Sequence, residues 1–209
     1  MAYIGQKPAD KALVASDLDP AVITGQTALA TSPADTDEFL ISDAGVLKRL
    51  DASLIGGGGK VLQVVSVNKT DTFSSSSSSF TDITGLTASI TPSATSSKIL
   101  VNVSIYAGGD AGARYGYILV RGSTSILLGD ASSSRTRSSV SGLATDGHSM
   151  VSQPIIFLDS PSSTSSTTYK IQGQTESGNN FMVNKTSTDS DAASVFRPAS
   201  TITLIEIGV

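Results

Sequence analysis

Cysteine and tryptophan are absent from the 209-residue chain, histidine occurs once, and charged residues make up only 15% of the total. The usual charged share is about a quarter. Without cysteine there is no disulfide to staple the fold, and no thiolate to bind a metal or attack a substrate. Long apolar runs are missing too: nothing approaches the roughly 18 consecutive apolar residues of a membrane span. Met1 to Asp10 lacks a basic start followed by an apolar stretch, so it does not read as a signal peptide, and synthesis as a soluble cytoplasmic protein is expected. Basic clusters are scarce. A formal net charge of −4 and a pI of about 4.8 argue against nucleic-acid binding, which needs clustered Lys and Arg to displace counterions.

What is present is a sharp internal break. Four consecutive glycines, Gly56 to Gly59, separate two pieces of different chemistry. Before them, eight acidic residues (Asp10, Asp17, Asp19, Asp35, Asp37, Glu38, Asp43, Asp51) face four basic ones (Lys7, Lys11, Lys48, Arg49), which accounts for the whole net charge. After them the charges balance, and Ser and Thr supply the polarity. The expected organisation is an arm over residues 1–55, a glycine linker over 56–59 and a head over 60–209.

In the arm, Pro8 to Ala15 suits a short helical segment, and Ser16-Asp17-Leu18-Asp19-Pro20 ends it. The clearest signal is a hairpin over residues 38–50. Phe39, Leu40 and Ile41 precede a turn at Ser42-Asp43-Ala44-Gly45, and Val46, Leu47 and Leu50 follow it. Asp43 starts the turn, and Gly45 suits the positive φ of a three-residue loop with a bulge. Asp51 suits the N-cap of a helical turn through Ile55. An isolated hairpin is marginal in water, so Phe39, Leu40, Ile41, Val46, Leu47 and Leu50 are candidate anchoring residues, on the chain's own head, on a neighbouring subunit or on a larger particle.

The head repeats one grammar, an apolar β-branched run followed by a Ser, Thr, Gly or Asp patch. Strands are predicted at Val61 to Asn68, Phe80 to Ile83, Leu86 to Thr91, Ile99 to Tyr106, Tyr115 to Arg121, Thr124 to Gly129, Met150 to Asp159, Thr167 to Thr175, Phe181 to Asn184 and Thr201 to Ile207. About ten strands with no convincing helix indicate an all-β sandwich or barrel. Ile99, Val101, Val103 and Ile105 alternate with Leu100, Asn102 and Ser104, so one face is core. The last strand has apolar residues on both faces and therefore wants cover on both. Ile202, Leu204, Ile205 and Ile207 are candidate subunit-interface residues. Ser74 to Ser79 and Ser160 to Ser166 are expected to be exposed loops.

The residues offer little catalytic chemistry. Asp146, His148 and Ser149 sit too close in sequence to form a triad assembled from separate elements, and no G-x-S-x-G elbow occurs. Asp35, Asp37 and Glu38, and then Asp189 with Asp191, are the densest carboxylates, but neither group follows a calcium-loop pattern. No metal or cofactor is expected. Asn68, Asn102 and Asn184 begin Asn-x-Ser/Thr triplets, which arise by chance in so Ser/Thr-rich a chain.

Several strings resemble a known group. Pro33-Ala34-Asp35-Thr36-Asp37-Glu38-Phe39-Leu40-Ile41-Ser42-Asp43-Ala44-Gly45-Val46-Leu47-Lys48-Arg49 resembles a segment of structural proteins of marine and freshwater bacteriophages, cyanophages among them, often described as fibre-like. Ser97-Lys98-Ile99-Leu100-Val101, Leu158-Asp159-Ser160-Pro161 with Tyr169-Lys170, and Ser200 to Ile207 resemble the carboxy-terminal domains of the same proteins. The resemblance implies a jelly-roll head similar to the C1q and tumour-necrosis-factor domains, which assemble as trimers. It also implies a location in the virion.

Three functions fit these readings. The first is a non-enzymatic, trimeric capsid decoration or cement protein, anchored by its arm on a major capsid protein or another virion protein. No heptad, collagen-like or β-helix repeat follows Gly59 to make a fibre shaft, which favours this squat arrangement. The second is a short tail fibre or adhesin that binds a host surface glycan. The third is a jelly-roll glycan hydrolase or lyase using loop carboxylates, which would require two of them at about 5 to 10 Å separation.

Overall fold

The computed structural model describes residues 34, 36–44, 46–54 and 60–208. The expected helix at Pro8 to Ala15 and the glycine run lie outside them. The chain divides into two units, Met1–Gly57 and Gly58–Val209.

In the first unit, Glu38–Asp43 (β1) pairs antiparallel with Val46–Asp51 (β2), from Glu38↔Asp51 to Asp43↔Val46. That register leaves two residues in the loop, not the three expected. Ala44 takes φ 51°, the left-handed conformation whose twist matches the flanking strands, so no bulge residue is needed. Gly45 lies outside the described residues. Asp37 closes a turn ahead of the hairpin by accepting the Ala34 amide at 2.9 Å, and a 3₁₀ turn at Ala52–Leu54 follows it.

In the second unit, eleven strands form two sheets. They are β3 (Val61–Lys69), β4 (Phe73–Ser75), β5 (Thr81–Ile90), β6 (Lys98–Gly109), β7 (Arg114–Arg121), β8 (Thr124–Ile126), β9 (Val140–Leu143), β10 (Met150–Asp159), β11 (Thr167–Thr175), β12 (Phe181–Val183) and β13 (Ser200–Ile207). In one sheet β6 has β10 along one edge, while the other edge is shared by β13 and β12, which carry β3 and β4 outside them. In the other sheet the order is β5-β11-β7, with β8 and β9 sharing the far edge of β7. Successive long strands alternate between the sheets, and all pairings are antiparallel. The architecture is an all-β jelly-roll sandwich.

The core lies between the sheets, because period-two alternation sends every second side chain inward. Ile99, Val101, Val103, Ile105, Ile202 and Leu204 from one sheet meet Tyr117, Leu119, Tyr169 and Ile171 from the other, all fully buried. The ring of Phe181 stands edge-on to Tyr117 at 5.8 Å. Gly173 makes this approach possible: a Cβ there would lie 2.7 Å from the Phe181 ring and 3.0 Å from Tyr117.

The strands expected at Phe80 to Ile83 and Leu86 to Thr91 are one strand, β5. Its inward residues Ile83 and Leu86 are three apart rather than two, and a bulge at Gly85, with φ 88°, absorbs the extra residue. β8 ends at Ile126, short of Gly129, because Leu127 turns to φ 53°. The serine run is also more ordered than its composition suggests. Phe73–Ser75 pairs with β12, and the Thr175 amide donates to the Ser77 carbonyl at 2.9 Å, so half the run is docked rather than a free loop.

Candidate functional site: an uncharged sheet face

The most distinctive surface is the outside of the β10-β6-β13-β3 sheet. Its register aligns three rows of four residues. Leu158, Leu100, Ile205 and Val64 form one; Ile156, Asn102, Thr203 and Ser66 the next; Pro154, Ser104, Thr201 and Asn68 the third. None of these twelve residues carries a charge; the adjoining row brings Lys98 opposite Ile207, its ammonium donating to the Ser160 hydroxyl at 2.8 Å. The first row is aliphatic across four strands, with Leu158 52% and Val64 57% exposed, and Ile156 beside it is 65% exposed. Val61 and Leu62, also exposed, extend the apolar end. Monomeric surfaces seldom leave so continuous an apolar band to water. At the polar end the Ser66 and Thr203 hydroxyls meet at 2.9 Å across the strands.

This placement corrects half of the expected interface set. Ile202 and Leu204 are fully buried against the opposing sheet and face no partner, because inward and outward positions alternate along β13. Ile205 and Ile207 point outward and are half-exposed. The remaining members of the band were recognisable only with cross-strand register in hand. On the hairpin, Phe39 and Leu40 are exposed at 40% and 71%, and Ile41 and Leu50 are half-buried. Phe39 lies opposite Leu50. Val46 and Leu47 are placed in β2, and their side chains lie outside the described residues.

The chemically suggestive clusters are structural. The Asp146 carboxylate accepts the His148 amide and the Ser149 hydroxyl, both at 2.8 Å, which closes a turn and leaves the imidazole out of the arrangement. The Ser149 hydroxyl, chiefly, holds the Asp146 carboxyl below its ordinary range. Asp189 is paired with Arg197, whose guanidinium does the same. No group of three or more potential metal ligands occurs among the described residues. Asn184 of the third glycosylation triplet is fully buried and hydrogen-bonded, so no glycan can attach there in the folded head. No described helix is long and apolar enough to cross a membrane.

One buried carboxylate controls the edge of the sheet face. Glu206, 2% exposed, accepts the Ser93 amide and hydroxyl, both at 2.6 Å. Burial pushes its carboxyl up, but the Ser93 hydroxyl and amide and the Ser97 hydroxyl outweigh burial and hold it below the ordinary value. A carboxyl lowered on folding stabilises the native state above its unfolded value, about 4.3, and loses that contribution as pH falls through the folded value. The melting temperature of the wild-type protein is therefore expected to fall as pH drops below about 4.3, and Glu206→Gln to flatten that slope while lowering stability at neutral pH. Parallel curves for the two proteins would show that Glu206 carries no linked proton.

No family model matches the chain, and no curated protein matches it. Among solved structures, a chain in the structure of the infectious bursal disease virus Gx strain aligns over 79% of this protein at 15% identity, with a TM-score of 0.39. VP2 of the subviral particle of infectious bursal disease virus aligns over 79% at 13% identity, with a TM-score of 0.35. The alignments span 44% and 42% of those chains. Likeness at this level carries no functional argument.

Proposed function

We propose that the protein is a non-enzymatic structural component of a virion. It assembles as a homotrimer through the outer face of the β10-β6-β13-β3 sheet and is held on the particle by residues 1–55, as a capsid decoration or cement protein. The observation that carries the reading is the uncharged face with its four-strand aliphatic row. Interface centres are depleted of charge, and around a threefold axis each residue meets its own copies, so a charge at the centre of the face would confront like charges. The hairpin fits an anchoring role for the same reason, with Phe39 and Leu40 exposed on a two-stranded element that needs support. The resemblance of both segments to phage structural proteins points the same way.

Light scattering of the full chain is expected to give three times the monomer mass. Particles assembled with a variant lacking residues 1–55 are expected to lose the protein on gradient purification. A monomer at high concentration would overturn the trimer, and retention of the shortened variant on particles would overturn the anchoring role. Immunogold labelling on the shell supports decoration, whereas labelling on the tail would favour a fibre.

A further inference from the structure

The second sheet has a feature of a different kind on its outer face. Ser141, Gly116 and Gln174 form a cross-strand row over β9, β7 and β11, and Gly116 contributes no side chain to it. Gly116 lies on the floor of a cleft of about 710 Å³, within the range of small-molecule sites. Phe80, just before β5, and Leu143 of β9 flank it from opposite sides of the sheet order. Thr136 and Ser138 overhang it, and a Cβ on Gly116 would come within 3.4 Å of Ser138.

We infer that this cleft binds a neutral saccharide. Its uncharged polar groups are hydroxyls and an amide, which both donate and accept, as sugar hydroxyls do. Phe80 and Leu143 offer apolar surface of the kind that covers the C–H face of a pyranose ring. The one cation in the lining sits beside a carboxylate: Glu176 accepts the Arg114 backbone amide at 3.1 Å and faces the Arg114 guanidinium at 3.4 Å. The two charges sum to zero, so the lining has no excess positive charge to draw in a phosphate or a polyanion. Glu176 is also the single carboxylate in the lining. Hydrolysis of a glycosidic bond ordinarily takes two, so the chemistry is recognition rather than cleavage. Because the cleft and the uncharged face lie on opposite sheets, a trimer built on one leaves the other free, and the two assignments fail independently.

The test is binding of the full-length protein to an array of immobilised neutral hexose and N-acetylhexosamine oligosaccharides, with uronic-acid oligosaccharides alongside. Wild type is expected to bind at least one neutral oligosaccharide, with little change at about 0.5 M NaCl because few charges are involved. Phe80→Ala is expected to weaken binding by about tenfold or more, as loss of an aromatic anchor does. Since Phe80 is half-buried, Gly116→Leu, which fills the floor from outside the core, and Gln174→Ala provide the independent check, with melting curves confirming that each variant folds. Binding to none of the neutral oligosaccharides overturns the assignment. So does binding that Gly116→Leu and Gln174→Ala leave intact, or binding to uronates alone that salt abolishes.

Discussion

Asn184→Ala is expected to destabilise the head by about 3–5 kcal/mol, a large share of a typical domain's stability. Asn184 is fully buried with φ 61°, a conformation that Asn tolerates better than Ala. Its amide donates to the carbonyls of Lys69 at 2.8 Å and Asp71 at 2.9 Å, and its oxygen accepts the Ser200 hydroxyl at 2.6 Å. That hydroxyl in turn accepts the Tyr106 amide at 3.0 Å. One side chain thus ties the end of β3 and the start of β13 to β6. Truncation strands the Lys69 carbonyl and the Ser200 hydroxyl away from water, frees the part-buried Asp71 carbonyl and adds backbone strain. Asn184→Gly relieves only the strain, and should recover no more than about 1 kcal/mol. Urea denaturation followed by circular dichroism measures both, and a loss below about 1 kcal/mol for Asn184→Ala would show that water replaces the bonds.

The same residue shows where sequence reading ends. Asn184 looked like the end of a short strand and the start of a chance glycosylation triplet, and nothing in its neighbourhood announces Lys69, Asp71 or Ser200 as partners. Strands with clean alternation were legible: Met150–Asp159 and Thr167–Thr175 match their expected limits. β4 and β9 were not, because Phe73-Ser74-Ser75 and Val140-Ser141-Gly142-Leu143 are short edge segments held by their neighbours rather than by their own pattern. The strand expected at Thr201 to Ile207 is β13, with Ile202 and Leu204 inward and Ile205 and Ile207 outward. Which residue belongs to which face follows from parity along the strand, but the composition of a whole face requires register. Leu158, Leu100 and Val64 join Ile205 only once four strands are aligned. The cleft was invisible for a further reason: its lining comes from segments far apart in sequence, from Ser78 to Glu176, with Gly116 at its floor.

That division of β13 sets up the second large effect. Leu158→Asp combined with Val64→Asp is expected to convert the proposed trimer to monomers while leaving the fold intact. Both side chains are more than half exposed in the single chain, and substitutions at such sites usually change folding stability by no more than about 0.5 kcal/mol. Across a self-interface the result differs. Each new carboxylate enters an uncharged surface at the edges of the aliphatic row, and the copies bring several together, where like charges cost several kcal/mol. Ile202→Asp, one parity step away from that face, places its carboxylate between the sheets and is expected to unfold the head at any concentration. Scattering mass and melting temperature should therefore move in opposite patterns: mass alone for the outer pair, melting for Ile202. If the double variant remains trimeric with an unchanged melt, the uncharged face is not the contact, and the copies must be joined elsewhere.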